Sequence, residues 1–541
     1  MAKNAPYGDN RRQGAVRERS QVHNTHNDRY IKRDTNTGRF IDQKADKELF
    51  KGVRKNANMR GQSMSAKKYA EPKQTHCIAT LDNCKPCKEK HNCLMLREQL
   101  AFYNRLGLSQ IGDDIDTSAV INIKHLWQVS TRTKKFDSSW NYAEDNTRAY
   151  THPIHPYPAM MIPQVAGRLI DMHAKPKAVV LDPFCGSGSV LLEAFIRGYD
   201  SYGIDINPLS LLISKVKTTP ISYKQLQNRL ENILETVSTT KKINSPDFFN
   251  IDFWFKPRVA SKLAALRATI DLIRDKRIKD FFKVVFSFTV RASSNTRNGE
   301  FKLYRIDEEK LNDFNPPVIE IFKARAEQNI NAMAELWEEF KEKKAQVNIL
   351  NEDARYRTSI KDGIVDIVVT SPPYGDSKTT VAYGQFSRLS LQWLGFNGQS
   401  LDIDNRSLGG RLDIDNLHLG YSSPNLRYAI DLISRIDSKR AREVMAFYID
   451  LNKCFTELNR VVKKGGFLCM VVGNRTVKGI QLPTDEIVAD FGEHAGFRHI
   501  ETIIRKIPNK RMPSKNSPTN KVGELGATMT EEYIVIMEKI R

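Results

Sequence analysis

An open α/β sheet carrying a helical insertion is the fold class that this 541-residue sequence predicts, and three observations predict it. Short apolar runs at Ala178-Val179-Val180-Leu181 and at Ile364 to Thr370 have the length of buried strands, and each ends in a turn signal. Ser189 to Arg197 reads as a helix across a glycine turn from the first run, and Tyr202-Gly203-Ile204-Asp205 reads as the next strand. That is the strand, helix, strand alternation of a parallel sheet. Between 217 and 345 longer amphipathic stretches, Val259 to Arg274 and Pro317 to Lys344 among them, interrupt the alternation as an insertion. It resumes with Gln346 to Asn351, Ile364 to Thr370, a helix over about 440–462 and the strand Gly466 to Val472. Two further strands, Glu501 to Ile507 and Glu532 to Glu538, bracket a polar loop.

Composition bounds the rest of the chain. Hydrophobic residues make up 40%, enough to bury a core. The longest apolar run, Phe281 to Val290, contains Lys283 and is well short of the roughly 20 residues that cross a bilayer, so no membrane span is expected. Met1 to Gly8 lacks the apolar segment of a secretory signal, which makes cytoplasmic residence the expectation. The net charge is +21, and residues 1–70 hold 17 Lys/Arg against 7 Asp/Glu. Such a field favours a polyanion through phosphate contacts and counterion release, although charge alone reads equally well as a solvated tail. The organisation expected is a basic, loosely ordered arm at 1–72, a four-cysteine module at 73–100 and the α/β region at 118–541. Within the arm, Tyr30 to Asp34 followed by Thr35-Asn36-Thr37-Gly38 fits a small hairpin.

Asp182-Pro183-Phe184-Cys185-Gly186-Ser187-Gly188 follows the first strand. Gly186 and Gly188 permit unusual backbone angles and let amides approach a small ligand at the carboxyl edge of the sheet. Asp205, at the end of the next strand, is placed to accept hydrogen bonds from ribose hydroxyls. The segment is neither G-x-x-x-x-G-K-[ST] nor a full G-x-G-x-x-G, which disfavours ATP and dinucleotides. By itself a glycine turn of this kind is compatible with many nucleotides or with none.

Thr370-Ser371-Pro372-Pro373-Tyr374 is more specific. The strand ending at Thr370 delivers Ser371 to the same sheet edge, and successive prolines fix the backbone there. An exocyclic amino group on a base is a poor nucleophile because its lone pair is delocalised into the ring, so acceptors must pull it toward tetrahedral geometry. Ser371 and the Pro372 carbonyl can accept its two hydrogens while Tyr374 stacks on a base taken out of the duplex. Positioning of this kind supplies most of the rate. The two segments together point to methyl transfer to a base.

These segments resemble motifs I and IV of the S-adenosylmethionine-dependent DNA amino-methyltransferases, and His155-Pro156-Tyr157-Pro158-Ala159-Met160-Met161-Ile162-Pro163 is similar to their motif X. The resemblance covers roughly 140–541 and implies a Rossmann-like seven-stranded methyltransferase sheet. It implies that Tyr157, Asp182, Phe184, Gly186 and Gly188 line the cofactor site, that Asp205 holds the ribose and that Asp353 meets the adenine amino group. Ser371, Pro372, Pro373 and Tyr374 would form the catalytic segment. The motif order X, I, IV departs from the class with motif IV first, and the insertion at 217–345 is the candidate for target recognition. Ser before Pro-Pro-Tyr, together with Gly375 to Gly384, is similar to the cytosine-N4 group, while some adenine-N6 enzymes share the serine. The partners implied are double-stranded DNA with a flipped base and a cognate restriction endonuclease. An RNA guanine-N2 methyltransferase is the enzymatic rival, although such enzymes usually carry Asp or Asn before the prolines. A catalytically silent DNA-binding protein is the rival of another class. A C5-cytosine enzyme would need a cysteine nucleophile directly after the proline, where Pro373 and Tyr374 stand; Cys185 reads as packing in the turn.

Cys77, Cys84, Cys87 and Cys93 follow the pattern C-x6-C-x2-C-x5-C. Four thiols this close in a cytosolic chain fit a metal site better than disulfides. The spacing resembles the iron-sulfur loop of the endonuclease III family and implies a [4Fe-4S] cluster, with tetrahedral zinc as the alternative. That resemblance stops at some twenty residues and carries no glycosylase chemistry. Further candidates for DNA contact are Asn509 to Asn516, Phe253 to Arg258 and Arg291 to Arg305.

Overall fold

The computed structural model describes residues 132–239, 245–297, 301–377, 379–411, 422–507 and 529–541, with short strands at 16–55 and 515–527. Contacts divide the chain into two units, 1–88 and 89–541. In the first, strands β1 (Val16–Asn24), β2 (Arg29–Asp34), β3 (Phe40–Gln43) and β4 (Val53–Lys55) form a sheet in the order β3-β2-β1-β4. A loosely ordered arm was the expectation for this stretch; strands are what is found, with the antiparallel pair β2–β3 flanking Thr35 to Gly38. Every Val and Ile between 16 and 55, namely Val16, Val22, Ile31, Ile41 and Val53, falls within the strands, as do Tyr30 and Phe40. Backbone ladders satisfy themselves with little apolar material, which a composition argument overlooks. The four-cysteine module at 73–100 lies outside the described residues.

The second unit is built on an eight-stranded sheet. Its strands are β5 (Lys134–Phe136), β6 (Val179–Asp182), β7 (Asp200–Ile204), β8 (Val347–Leu350), β9 (Val365–Thr370), β10 (Val462–Val472), β13 (Phe497–Lys506) and β16 (Glu531–Lys539). Two small hairpins, β11–β12 (Thr476–Val477, Ile480–Gln481) and β14–β15 (Lys515–Asn516, Gly526–Ala527), stand apart from it. The order is β5-β13-β16-β10-β9-β6-β7-β8. Strands β8 through β10 run parallel, and β16 is inserted antiparallel between β10 and β13. This is the expected seven-stranded α/β sheet with one addition: β5 pairs parallel with the outer edge of β13. Three residues, Lys-Lys-Phe, are too short and too polar to register as a strand in sequence.

Helices cover both faces. Alternation along the strands sends Val180, Ile367, Val369, Val471 and Ile534 to one core with α1 (Pro163–His173) and α2 (Ser189–Arg197). Leu181, Val368, Leu468, Met470 and Val535 go to the other, beneath the later helices over 424–495. Turn chemistry sets the helix starts: Asn207 caps α3 (Pro208–Lys217), with its side chain accepting from Leu209 N. The inserted segment lies between β7 and β8. It contributes α4 (Tyr223–Thr239), α5 (Pro257–Asp271), α6 (Lys276–Ser293) and α7 (Val318–Phe340), which share a third core around Phe281, Phe282, Phe286 and Phe322. That core runs on through Leu209 and Ile213 of α3 to Tyr157 and to Phe386 of α8 (Tyr383–Trp393), so the insertion is packed into the wall of the sheet edge. Among the described residues no helix is long and apolar enough to cross a membrane.

Candidate active site

At the carboxyl ends of β6 to β9 a cavity of about 920 Å³, counting its open mouth, is lined by Tyr157, Asp182, Phe184, Gly186, Asp205, Asp353, Ser371 and Pro373. Of the residues singled out in the sequence, Gly188, Pro372 and Tyr374 do not line it. Open α/β sheets bind ligands at this edge because parallel strands all end there and their connecting loops diverge.

The three strand-end aspartates share one local device. Asp182 Oδ1 accepts from Phe184 N at 3.1 Å, Asp205 Oδ1 from Asn207 N at 2.8 Å and Asp353 Oδ1 from Arg355 N at 3.1 Å. Each carboxylate thus folds its own turn onto the amide two residues on, which fixes where the strand stops and the loop begins. Asp205 Oδ2 also accepts from Gly186 N at 3.0 Å and ties the glycine turn to the second strand. Thr370 Oγ1 donates to Asp182 Oδ1 at 2.6 Å and joins β9 to β6. Asp353 is further gripped by the Arg355 guanidinium, whose Nη1 reaches Asp450 at 2.8 Å.

Burial dominates the electrostatics here. It pushes the Asp182 carboxyl up to about 7, against the hydrogen bonds from Thr370 and Phe184, and it raises that of Asp205 as well. The Cys185 thiol is pushed well above its usual range by the same burial and by both carboxylates, which leaves it a packing group. His155 is neutral: burial pulls it down to about 3, and its Nε2 meets Ser287 Oγ at 3.0 Å. Tyr157 stacks on Tyr383 at 5.9 Å, and its hydroxyl accepts from Asn207 Nδ2 at 3.2 Å.

The two glycines of the turn have different tasks. At Gly186 (φ +48°) the nearest side-chain atom to an added Cβ would be Tyr157 Cε1 at 3.5 Å, so the aromatic of the 155–163 segment covers it. Gly188 (φ +78°) would place a Cβ 2.9 Å from Ser214 Cα. It allows α2 to begin tight against α3 and makes no wall of the cavity.

The segment after β9 is held from far away. Ser371 Oγ donates to Tyr374 OH at 3.3 Å, and that hydroxyl donates to Glu532 Oε1 at 3.0 Å. Glu532, on β16, is gripped on its other oxygen by Arg505. Buried Asp376 takes Arg440 at 3.0 Å and Arg475 at 3.5 Å. Gly384 N donates to Asp404 Oδ1 at 2.9 Å. None of Glu532, Arg505, Arg440, Arg475 and Asp404 carries a sequence signal of its own, because each reaches the segment only through the tertiary fold.

Of the remaining sites, Cys77, Cys84, Cys87 and Cys93 fall outside the described residues, as does most of Asn509 to Asn516. Among the described residues no group of three or more His, Cys, Asp or Glu is arranged to hold a metal.

Comparison with known proteins gives consistent matches. Residues 24–215 match a family model described as DNA methylase, and residues 166–392 match the D12 class of N6 adenine-specific DNA methyltransferases. The chain is 43% identical over 445 residues to the type II methyltransferase M.MvaI of Kocuria varians, which covers 77% of this chain and 98% of that protein. It is 23% identical over 415 residues to the type II methyltransferase M.BsoBI of Geobacillus stearothermophilus, covering 66% of this chain and 80% of that one. A 119-residue stretch is 31% identical to M.MjaII of Methanocaldococcus jannaschii, 21% of this chain and 22% of its relative.

Proposed function

The chain belongs to the family of type II DNA methyltransferases that contains M.MvaI, and we propose that it moves a methyl group from S-adenosylmethionine to the exocyclic N4 of cytosine in a short duplex site. The observation that carries the reading is the shared cavity: Ser371 and Pro373 line the same space as the glycine turn, Asp205 and Asp353. An acceptor for an amino group and a cradle for a nucleoside-bearing cofactor therefore stand side by side.

The cradle fits S-adenosylmethionine. Asp205 accepts a backbone amide on each oxygen and lines the cavity, where its carboxylate would accept from ribose hydroxyls. Asp353, held by Arg355, lines the cavity and would meet the adenine amino group, and Tyr157 and Phe184 give the pocket apolar walls. The bound cofactor supplies an electrophilic methyl. Ser371 and the Pro372 carbonyl accept the amino hydrogens and turn the nitrogen lone pair toward that methyl, with Tyr374 stacking on the flipped base.

Ser371 in front of Pro-Pro-Tyr favours cytosine. The match of 166–392 to an adenine-specific class favours adenine N6 instead, with the same residues in the same roles. Mass spectrometry of nucleosides from duplex DNA treated with the protein and S-adenosylmethionine decides: N4-methylcytosine supports the reading, and N6-methyladenine overturns the choice of base. We assign the basic 1–72 stretch to phosphate contact and the insertion between β7 and β8 to reading the site. The four N-terminal cysteines are proposed to hold a [4Fe-4S] cluster. Absorbance near 400 nm with matching iron supports this, and stoichiometric zinc without that band overturns it.

A further inference from the structure

We propose that Glu532 is the far end of a proton path, Ser371 to Tyr374 to Glu532, that carries away the proton shed by the target amino group. The inference rests on the amino-methylation reading above and adds a positioning residue to it, on a strand 158 positions from Tyr374.

Direction is what makes the chain of contacts a path. Ser371 Oγ donates to Tyr374 OH at 3.3 Å, and Tyr374 OH donates to Glu532 Oε1 at 3.0 Å. With its only proton committed inward, Ser371 Oγ presents acceptor lone pairs to the cavity that it lines. A base amino group, which has hydrogens to give, needs that polarity. The inner end is anchored: Arg505, 1% exposed, grips Glu532 Oε2 and donates from Nε to Trp140 O at 2.8 Å. The phenol is hemmed in as well, since a Cβ added at Gly473 would lie 3.0 Å from Tyr374 Cδ2 and 2.0 Å from Met529 Sδ. Stacking on a base would need only the ring; the hydroxyl, aimed at a carboxylate, calls for a second task.

The step balances without any further reactant. The amino nitrogen forms its bond to the methyl carbon as the carbon–sulfur bond breaks and sulfur keeps the pair, so the positive charge passes from sulfonium to nitrogen. One N–H proton then moves to Ser371 Oγ while the serine proton moves to Tyr374 OH and the phenol proton to the Glu532 carboxylate. The products are a neutral methylated amine, a neutral thioether and a protonated Glu532. Relays of this kind act as general bases through intervening hydroxyls.

The test uses the full chain, unmethylated duplex DNA and S-adenosylmethionine labelled in the methyl group, with single-turnover transfer and equilibrium cofactor binding measured separately. Tyr374→Phe and Glu532→Gln should each slow transfer by roughly 100-fold, the low end of what a positioned proton acceptor contributes, with cofactor affinity held within about twofold. The double variant should be no slower than the slower single one, because both cut the same path. Glu532→Asp should recover part of the rate. Wild-type transfer by Tyr374→Phe, which removes one oxygen and leaves the Glu532–Arg505 pair intact, would overturn the proposal even if Glu532→Gln fails to fold. Multiplying losses in the double variant, or losses that appear in cofactor binding, would overturn it as well. No label transfer by the unaltered protein would instead overturn methylation itself, and label in N6-methyladenine would change the base while leaving the path in place.

Discussion

The two sides of the cavity are built by opposite means. On the cofactor side, Asp182, Asp205 and Asp353 each bond the amide two residues further on, so every carboxylate has a partner in its own loop, to which Thr370 and Gly186 add longer ties at Asp182 and Asp205. On the acceptor side, the Ser371 to Asp376 loop is positioned by Glu532, Arg440 and Arg475, which lie 158, 64 and 99 residues from the groups they hold. A locally folded half tolerates change elsewhere in the chain, whereas a half held by remote ties depends on the entire sheet being assembled.

Substitutions can break this contrast, and the largest effect belongs to the acceptor side. Ser371→Ala removes the acceptor proposed for the amino hydrogens and should lower single-turnover transfer by roughly 10² to 10⁴-fold, with cofactor affinity unchanged by calorimetry. Equal losses in rate and affinity would show that the two sides are not separate. Next comes Asp205→Ala, which strands the amides of Gly186 and Asn207 at a cost of about 1–3 kcal/mol each, and cofactor affinity should fall by about tenfold or more.

A smaller effect is expected in stability against pH. Burial raises the Asp182 carboxyl to about 7, so the folded state holds its proton over a range where the unfolded chain, near 3.8, has lost it. Stability from this group is therefore present below pH 3.8 and is lost as pH rises toward 7. Asp182→Asn, which can still accept from Thr370 and Phe184, should gain stability relative to the unaltered protein as pH is raised across that window, by on the order of 1 kcal/mol or more, read as a rise in melting temperature. A constant difference at all pH values would refute the assignment. The smallest effect is at Gly203 on β7, where a Cβ would meet Leu191 Cδ1 at 2.5 Å and Cys185 Cβ at 3.1 Å. Gly203→Ala should cost about 1–2 kcal/mol in urea denaturation, since the leucine end can move and the turn cannot.

The same contrast explains what could be read from the sequence. Strand-ending aspartates, the glycine turn and the serine–proline segment are short-range patterns, and all but Gly188, Pro372 and Tyr374 of the residues singled out in them line one cavity. The parallel sheet and its helical interruption were legible for the same reason. Glu532 and Arg505 were not, because one carboxylate in the alternating strand Glu531–Lys539 looks like any other solvent-facing charge. β5 was too short to show a period of two, and the N-terminal sheet has too few apolar residues to announce itself. Gly188 carried a misleading signal: it belongs to the motif, yet its lack of a side chain serves the packing of α2 on α3.

The place of β16 has a consequence for the order of synthesis. This strand is made after β10 and β13, yet it lies between them, so β13 and β5 have no edge to join until it arrives. A chain emerging from the ribosome can complete the aspartate turns by residue 355, whereas the cavity they face takes further walls from Ser371, Pro373, Ile403 and Leu408. The Tyr374 hydroxyl must wait for residue 532 before it meets its carboxylate partner.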